Sequence, residues 1–192
     1  MNNIKKLNNI DRSFLISGDL NSLMKQAKKI RDKSYGNKIT YSRKVFVPLT
    51  NICRNQCGYC TFVKNPNSPS AKVLNPEQVM EIVSKGEKYG CKEVLFSLGE
   101  KPELKYLSIL DKLRSFGHSS LVDYLSSMCQ IVNKETNLLP HTNIGTLNKK
   151  EIDILKPVTA SMGMMLETTS NKIFKKGGAH YKCPDKVPSI RI

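Results

Sequence analysis

Short apolar runs alternate along this chain with amphipathic stretches of helical period, and that alternation constrains the fold more than any other feature. Arg43-Lys44-Val45-Phe46-Val47-Pro48-Leu49 reads as a first strand. Asn75 then caps a helix with Pro76 in its first turn, Val79, Ile82 and Val83 on its apolar stripe and Gly90 at its end. Glu93-Val94-Leu95-Phe96-Ser97 is a second strand. A helical region interrupted near Gly117 follows. Its second part places Leu121, Tyr124, Leu125, Met128, Cys129 and Val132 on one face, so Cys129 reads as a small core residue. Leu138-Leu139-Pro140-His141 is a weaker third strand. Asn148 and Glu151 form a capping box for a helix ending at Leu155. Val158 to Leu166 reads as a fourth strand, along which Met162, Met164 and Met165 pack into core or interior. Upstream, Asp19 caps a helix through Leu20, Leu23, Met24, Ala27 and Ile30, and Gly36 ends it. The pattern predicts an α/β fold, a parallel sheet with helical crossovers. In such sheets chemistry gathers at the carboxyl ends of the strands. The segment 53–60, Leu98-Gly99-Glu100, His141-Thr142-Asn143 and Glu167 all follow strands, so they are expected on one rim.

The loop after the first strand carries Cys53, Cys57 and Cys60 in a C-x3-C-x2-C spacing. Thiolates suit iron–sulfur clusters and zinc. Structural zinc takes four ligands, commonly in paired spacing, and no second C-x2-C occurs here. A cubane cluster held by three thiolates keeps one iron open to a small molecule, which turns an electron carrier into a catalytic site. A disulfide framework is the other reading of six cysteines. Against it, half of them crowd into residues 53–60 of a chain that is not small.

Composition narrows the partners. The 192 residues, 39% of them apolar and 24% charged, suit one folded domain with a real core. No apolar run approaches the roughly 20 residues that span a bilayer, and Met1-Asn2-Asn3-Ile4-Lys5-Lys6 lacks the apolar core of a signal peptide. A cytoplasmic location without a membrane partner is expected. The net charge of +15 could attract nucleic acid. The lysines are scattered, however, and no basic run is interleaved with aromatics as a stacking platform needs, so no nucleic-acid partner is expected.

With Tyr59 just before its last cysteine, the loop resembles that of the radical S-adenosylmethionine (SAM) enzymes. The flanking text is similar to one family among them, the 7,8-didemethyl-8-hydroxy-5-deazariboflavin synthases, which close the ring in the biosynthesis of deazaflavin coenzyme F-420. The resemblance rests on Tyr41-Ser42-Arg43-Lys44-Val45-Phe46-Val47-Pro48-Leu49-Thr50-Asn51, Leu98-Gly99-Glu100-Lys101-Pro102-Glu103, Leu139-Pro140-His141-Thr142-Asn143, Ser161-Met162-Gly163-Met164-Met165-Leu166-Glu167 and Pro184-Asp185-Lys186. It runs from about Leu15 to the last residue. It implies a partial (βα) TIM-type barrel of the radical SAM kind, about four strand–helix units after an N-terminal helix, where the family has about six. Residues 1–14 are then a tail and 15–192 a single core domain, incomplete at its C-terminus because the glycine-rich fifth strand is missing. Ile144 stands where the family pattern has proline.

The same resemblance implies cofactors and roles. Cys53, Cys57 and Cys60 would hold a 4Fe-4S cluster whose open iron takes SAM. Tyr59, Gly99, Glu100 and Glu167 would border SAM: Gly99 by letting backbone approach, Glu100 by accepting from the ammonium group and Glu167 near the ribose. Glu167 reads equally as a surface carboxylate opening a helix. His141 and Asn143 would face the substrate, 5-amino-5-(4-hydroxybenzyl)-6-(D-ribitylimino)-5,6-dihydrouracil, with a structural histidine as the alternative for His141. The partners would be that small molecule, a one-electron donor and the enzyme that makes the tyrosine–ribitylaminouracil adduct. A non-catalytic iron–sulfur remnant and a radical SAM enzyme with another substrate are the alternatives. The tail, with Gly177-Gly178, Pro184 and Pro188, reads as loop, and His180 and Cys183 as residues of a mobile segment, with a place lining the barrel mouth as the alternative.

Overall fold

A computed structural model describes residues 9–192. Of the tail expected over residues 1–14, residues 1–8 lie outside the described residues, and the remainder falls in helix α1 (Asn9–Ser17). The described residues divide into two compact units between Tyr41 and Ser42. The first unit holds α1 and α2 (Leu20–Tyr35). Asp19 starts α2 as predicted, its carboxylate accepting from the Ser22 amide at 2.9 Å, and Gly36 closes it.

The second unit is a parallel sheet with β1 (Lys44–Pro48), β2 (Glu93–Ser97), β3 (Leu139–Asn143) and β4 (Ser161–Met162) in chain order. Helix α3 (Pro76–Lys88) crosses from β1 to β2, α4 (Leu107–Ser115) with α5 (Leu121–Glu135) from β2 to β3, and α6 (Lys149–Leu155) from β3 to β4. Strand order equal to chain order means that every crossover steps one place in the same sense, the winding of an α/β barrel. The predicted caps are present. Asn75 and Gln78 form one capping box and Asn148 and Glu151 another.

Side chains alternate across the sheet. Val47, Phe96 and Thr142 lie in one register row and are fully buried. Helix α3 packs on β1, and α5 packs on β3, α3 and α6. Eight residues of α5 are buried, including the six the helical period singles out. Each large apolar side chain so covered contributes about 1.5–3 kcal/mol. Tyr124 adds a hydrogen bond to the Leu74 carbonyl at 2.7 Å, and Cys129 is fully buried as expected. The next register row carries Phe46, Leu95, His141 and Ser161 on the other face, which is more open, with Phe46 51% exposed.

The fourth strand is shorter than expected. The amides of Val158 and Thr159 still bond to the Leu155 carbonyl, extending the turn after α6, and pairing runs only from Ala160 to Gly163. Among the described residues no strand pairs with the outer side of β4. Met162, Met164 and Met165 are therefore exposed rather than packed into a core: only a covering element would bury them, and none of the described residues supplies it. No described helix is long and apolar enough to cross a membrane.

Candidate functional site

The cysteine loop leaves β1 at Leu49 and is held at the carboxyl end of the sheet by the residues that follow β2. The Gly99 amide donates to the Thr50 carbonyl at 2.9 Å, the Arg54 amide to the Glu100 carbonyl at 3.0 Å, and the Glu100 amide to Cys53 Sγ at 3.2 Å. Gly99 is required for this fit, because a Cβ there would lie 1.9 Å from the Ile52 carbonyl oxygen. The close approach expected of Gly99 is thus made to the cysteine loop itself. Cys53, Cys57 and Cys60 are half-buried free thiols. Burial pushes the Cys53 thiol up, and burial with the Cys183 contact pushes Cys57 up to about 12. Both are thiols without a metal, and binding one would release their protons.

The C-terminal segment is strapped over this loop, where a loop-rich mobile tail was expected. The Gly58 amide donates to the Ala179 carbonyl at 2.8 Å and the Gln56 amide to the Lys182 carbonyl at 3.0 Å. Arg54 forks onto the buried Asp185 carboxylate, with Nε to Oδ2 at 2.9 Å, and Asn55 Oδ1 accepts from the Asp185 amide at 3.2 Å. Cys183, 2% exposed, sits with Sγ 3.4 Å from Cys57 Sγ. Helix α7 (Pro188–Arg191) ends the strap. Proline and glycine punctuation in this stretch hid the burial. The sequence signal for it was the segment Pro184-Asp185-Lys186 shared with the family pattern.

Glu100 joins the loop, the strap and the end of β3. Its Oε1 accepts from the amide and hydroxyl of Thr146, each at 2.7 Å, and its Oε2 from Asn55 at 3.0 Å and Arg191 at 2.9 Å. A carboxylate offers about four acceptor positions, and here all are taken. The ammonium-accepting role expected of Glu100 is therefore not open to it without displacing a partner. Gly145, at φ 90°, passes so close that a Cβ would lie 2.3 Å from the Glu100 carboxyl carbon.

Glu167 keeps free acceptor positions. It receives the Tyr59 hydroxyl at 2.8 Å and the Lys186 ammonium. Burial pulls its carboxyl up, but those two donors outweigh burial and hold it below the usual range. The single Tyr59 hydrogen goes to this carboxylate, which can only accept. His180 Nε2, 2.9 Å from the same hydroxyl, must therefore bring its own hydrogen. That tautomer leaves His180 Nδ1 a bare, buried acceptor without a partner among the described residues. Burial and then Lys186 push the His180 pKa down, in keeping with a neutral ring.

A cavity of about 160 Å³ at the ends of β2 and β3 is lined by Glu100, Asn143 and Glu167 with Lys186 and Arg191, and an adjoining one of about 240 Å³ shares Gly145 and Arg191 with it. The structure thus brings together most of the residues expected on one rim. Tyr59 reaches the cavity through Glu167. His141 lies outside its lining, two residues back along β3, with Nδ1 bonded to Ser161 Oγ. Lys186 and Arg191 in the cavity's lining are additions that sequence reasoning missed.

A sequence profile described as the radical SAM superfamily matches residues 47–183. The chain belongs to the radical SAM superfamily. Its cofactors are accordingly a 4Fe-4S cluster and SAM. Among curated relatives, the chain is 45% identical over 154 residues to a 7,8-didemethyl-8-hydroxy-5-deazariboflavin synthase of Methanopyrus kandleri, covering 80% of this chain and 46% of the relative. It is 47% identical over 156 residues to a protein of the same name from Methanococcoides burtonii, covering 80% and 44%. An FO synthase of Nocardia farcinica is 42% identical over 198 residues, covering 96% of this chain and 23% of the relative. The chain therefore spans half or less of the length of these relatives. Among solved structures, the FeFe-hydrogenase maturase HydG from Carboxydothermus hydrogenoformans superposes with a TM-score of 0.68 at 24% identity, over 96% of this chain and 40% of that one. That likeness shows the fold: a partial TIM-type barrel, as expected.

The residues present fit the cluster. The donor set is three free thiols on one loop, backed by an amide donor to Cys53.

Proposed function

We propose that this chain acts as a 7,8-didemethyl-8-hydroxy-5-deazariboflavin synthase, an ammonia-eliminating lyase of deazaflavin biosynthesis. The observation that carries the reading is the convergence of a three-thiol loop, Asn143 and Glu167 at the carboxyl end of one parallel sheet, in a chain 45–47% identical to synthases of that name. The substrate is 5-amino-5-(4-hydroxybenzyl)-6-(D-ribitylimino)-5,6-dihydrouracil, supplied by a partner enzyme that makes the tyrosine–ribitylaminouracil adduct. A one-electron donor completes the set, and the location is the cytoplasm.

In this reading Cys53, Cys57 and Cys60 hold the cluster, and cluster and SAM together supply a 5'-deoxyadenosyl radical for hydrogen abstraction. The protein positions and shields. Glu167, with acceptor positions left and its charge balanced by Lys186, takes the ribose hydroxyls of SAM. Tyr59 fixes Glu167 from the loop side. Gly99 and Glu100 serve SAM indirectly, by locking the cysteine loop and the cavity floor to the end of β2. Asn143 and His141 lie on the same face of β3 and meet the substrate there. The strap covers one side of the loop and limits the access of water to the thiols.

Anaerobic incubation of the cluster-loaded protein with SAM, a reductant and the substrate tests this. The expected result is a product with deazaflavin fluorescence and the mass left after ammonia loss. SAM cleavage without that product overturns the substrate assignment and leaves a radical SAM enzyme of another specificity.

A further inference from the structure

Six cysteines are present, and the cluster accounts for three. Cys129 is sealed in the helical core, and Cys91 packs at its edge. Cys183 differs from both. The strap carries it onto the cysteine loop, it is 2% exposed, and its sulfur approaches Cys57 Sγ to 3.4 Å, within hydrogen-bonding distance for sulfur. The approach is held from both sides. The Gln56 amide bonds to the Lys182 carbonyl, and Asn55 bonds to the Asp185 amide. Cys183 is thus pinned between two loop–strap hydrogen bonds, with its side chain turned to the loop.

We infer that the Cys183 thiol donates a hydrogen bond to the sulfur of Cys57 and thereby sets the reduction potential of the cluster. The inference rests on Cys57 being a cluster ligand. An iron-bound thiolate is an acceptor, and Cys183 Sγ–H is the donor beside it. A hydrogen bond to a ligating sulfur draws electron density from the cluster and favours the reduced state, so it raises the potential. The Glu100 amide does the same for Cys53 from the backbone, where no side-chain substitution removes it. Cys183 is therefore a side-chain handle on the cluster's potential, and a positioning residue rather than a ligand. Its burial keeps water from its own side of the contact.

The test is a redox titration of the anaerobically reconstituted 192-residue protein, followed by electron paramagnetic resonance, on wild type, Cys183→Ala, Cys183→Ser and Cys129→Ala. The Ala variant at 183 is expected to hold the same iron and to titrate at a more negative potential. The Ser variant keeps a donor and returns toward wild type, and Cys129→Ala, a thiol removed elsewhere, matches wild type. Equal potentials for Cys183→Ala and wild type overturn the inference and leave the cluster intact. A wild-type cluster indifferent to SAM that becomes responsive in Cys183→Ala also overturns it, because Cys183 would then be a fourth iron ligand. A wild-type chain that takes up no iron overturns the cluster assignment together with the inference.

Discussion

Helix α5 buries one continuous face, whereas the strap over the cysteine loop buries only single residues such as His180, Cys183, Asp185 and Arg191, and the two are held by different forces. Helix α5 is covered by aliphatic and aromatic side chains recurring every three or four residues, with Tyr124 Oη and Asn133 Nδ2 as neutral polar anchors to backbone carbonyls. The strap is held by discrete polar links: Asp185 to Arg54, Arg191 to Glu100, and Lys186 with Tyr59 to Glu167. Hydrophobic burial is roughly proportional to area and tolerant of detail. A buried ion pair is not, because removing one partner strands the other charge. The sheet and its helices should therefore lose stability gradually under mutation, while the strap should detach as a unit.

The sharpest way to separate the two regions is at the thiols. Replacing Cys57 or Cys60 by Ala should bring bound iron to background while the metal-free protein unfolds at an unchanged denaturant midpoint. A large midpoint change would make these residues structural instead. Next in size is Arg191→Met, which leaves Glu100 buried without its cation. A loss of about 3–5 kcal/mol is expected for the strap, read as rapid proteolysis near Gly177 while the sheet stays folded. Leu125→Ala should cost about 2–5 kcal/mol of global stability, lowering the denaturant midpoint at constant slope without loosening the strap selectively. If Arg191→Met and Leu125→Ala expose the same sites to protease, the two regions are one cooperative unit and the comparison fails.

Smaller effects refine the strap. Tyr59→Phe removes one hydroxyl and should cost about 0.5–1.5 kcal/mol, seen as faster proteolysis of the strap. Glu167 gives a pH signature. Its folded pKa lies below the ordinary carboxylate value, so its contribution is complete above that value and is lost as pH falls through the folded one. Strap protection in wild type should weaken on acidification, and Glu167→Gln should be weaker at neutral pH with a flatter acid profile. A wild-type profile identical to that of the variant would remove Glu167 from the account.

What could be read in the sequence follows the same division. Period and caps are local, so α3, α5 and α6 were legible with their start signals at Asn75 and Asn148. The rim order was legible because a parallel sheet brings the ends of its strands together, and Glu100, Asn143 and Glu167 do meet in one cavity. The strap was not legible. Asp185 and Arg54 are 131 residues apart, and Arg191 and Glu100 are 91 apart, so no local pattern announces either pair. For the same reason the saturation of Glu100 by Asn55, Thr146 and Arg191 could not be foreseen, and Glu100 read as a free acceptor. The fourth strand was overread because alternation of Met162, Met164 and Met165 with other residues mimics a strand even where no neighbour completes the ladder.

The central claim is that the Cys53–Cys57–Cys60 loop holds a cluster with one iron open to SAM. Anaerobic reconstitution with iron and sulfide, followed by electron paramagnetic resonance of the reduced protein with and without SAM, tests it most directly. The account predicts a 4Fe-4S signal that changes when SAM is added. A chain that takes up no cluster, or one whose signal is the same with and without SAM, would contradict it.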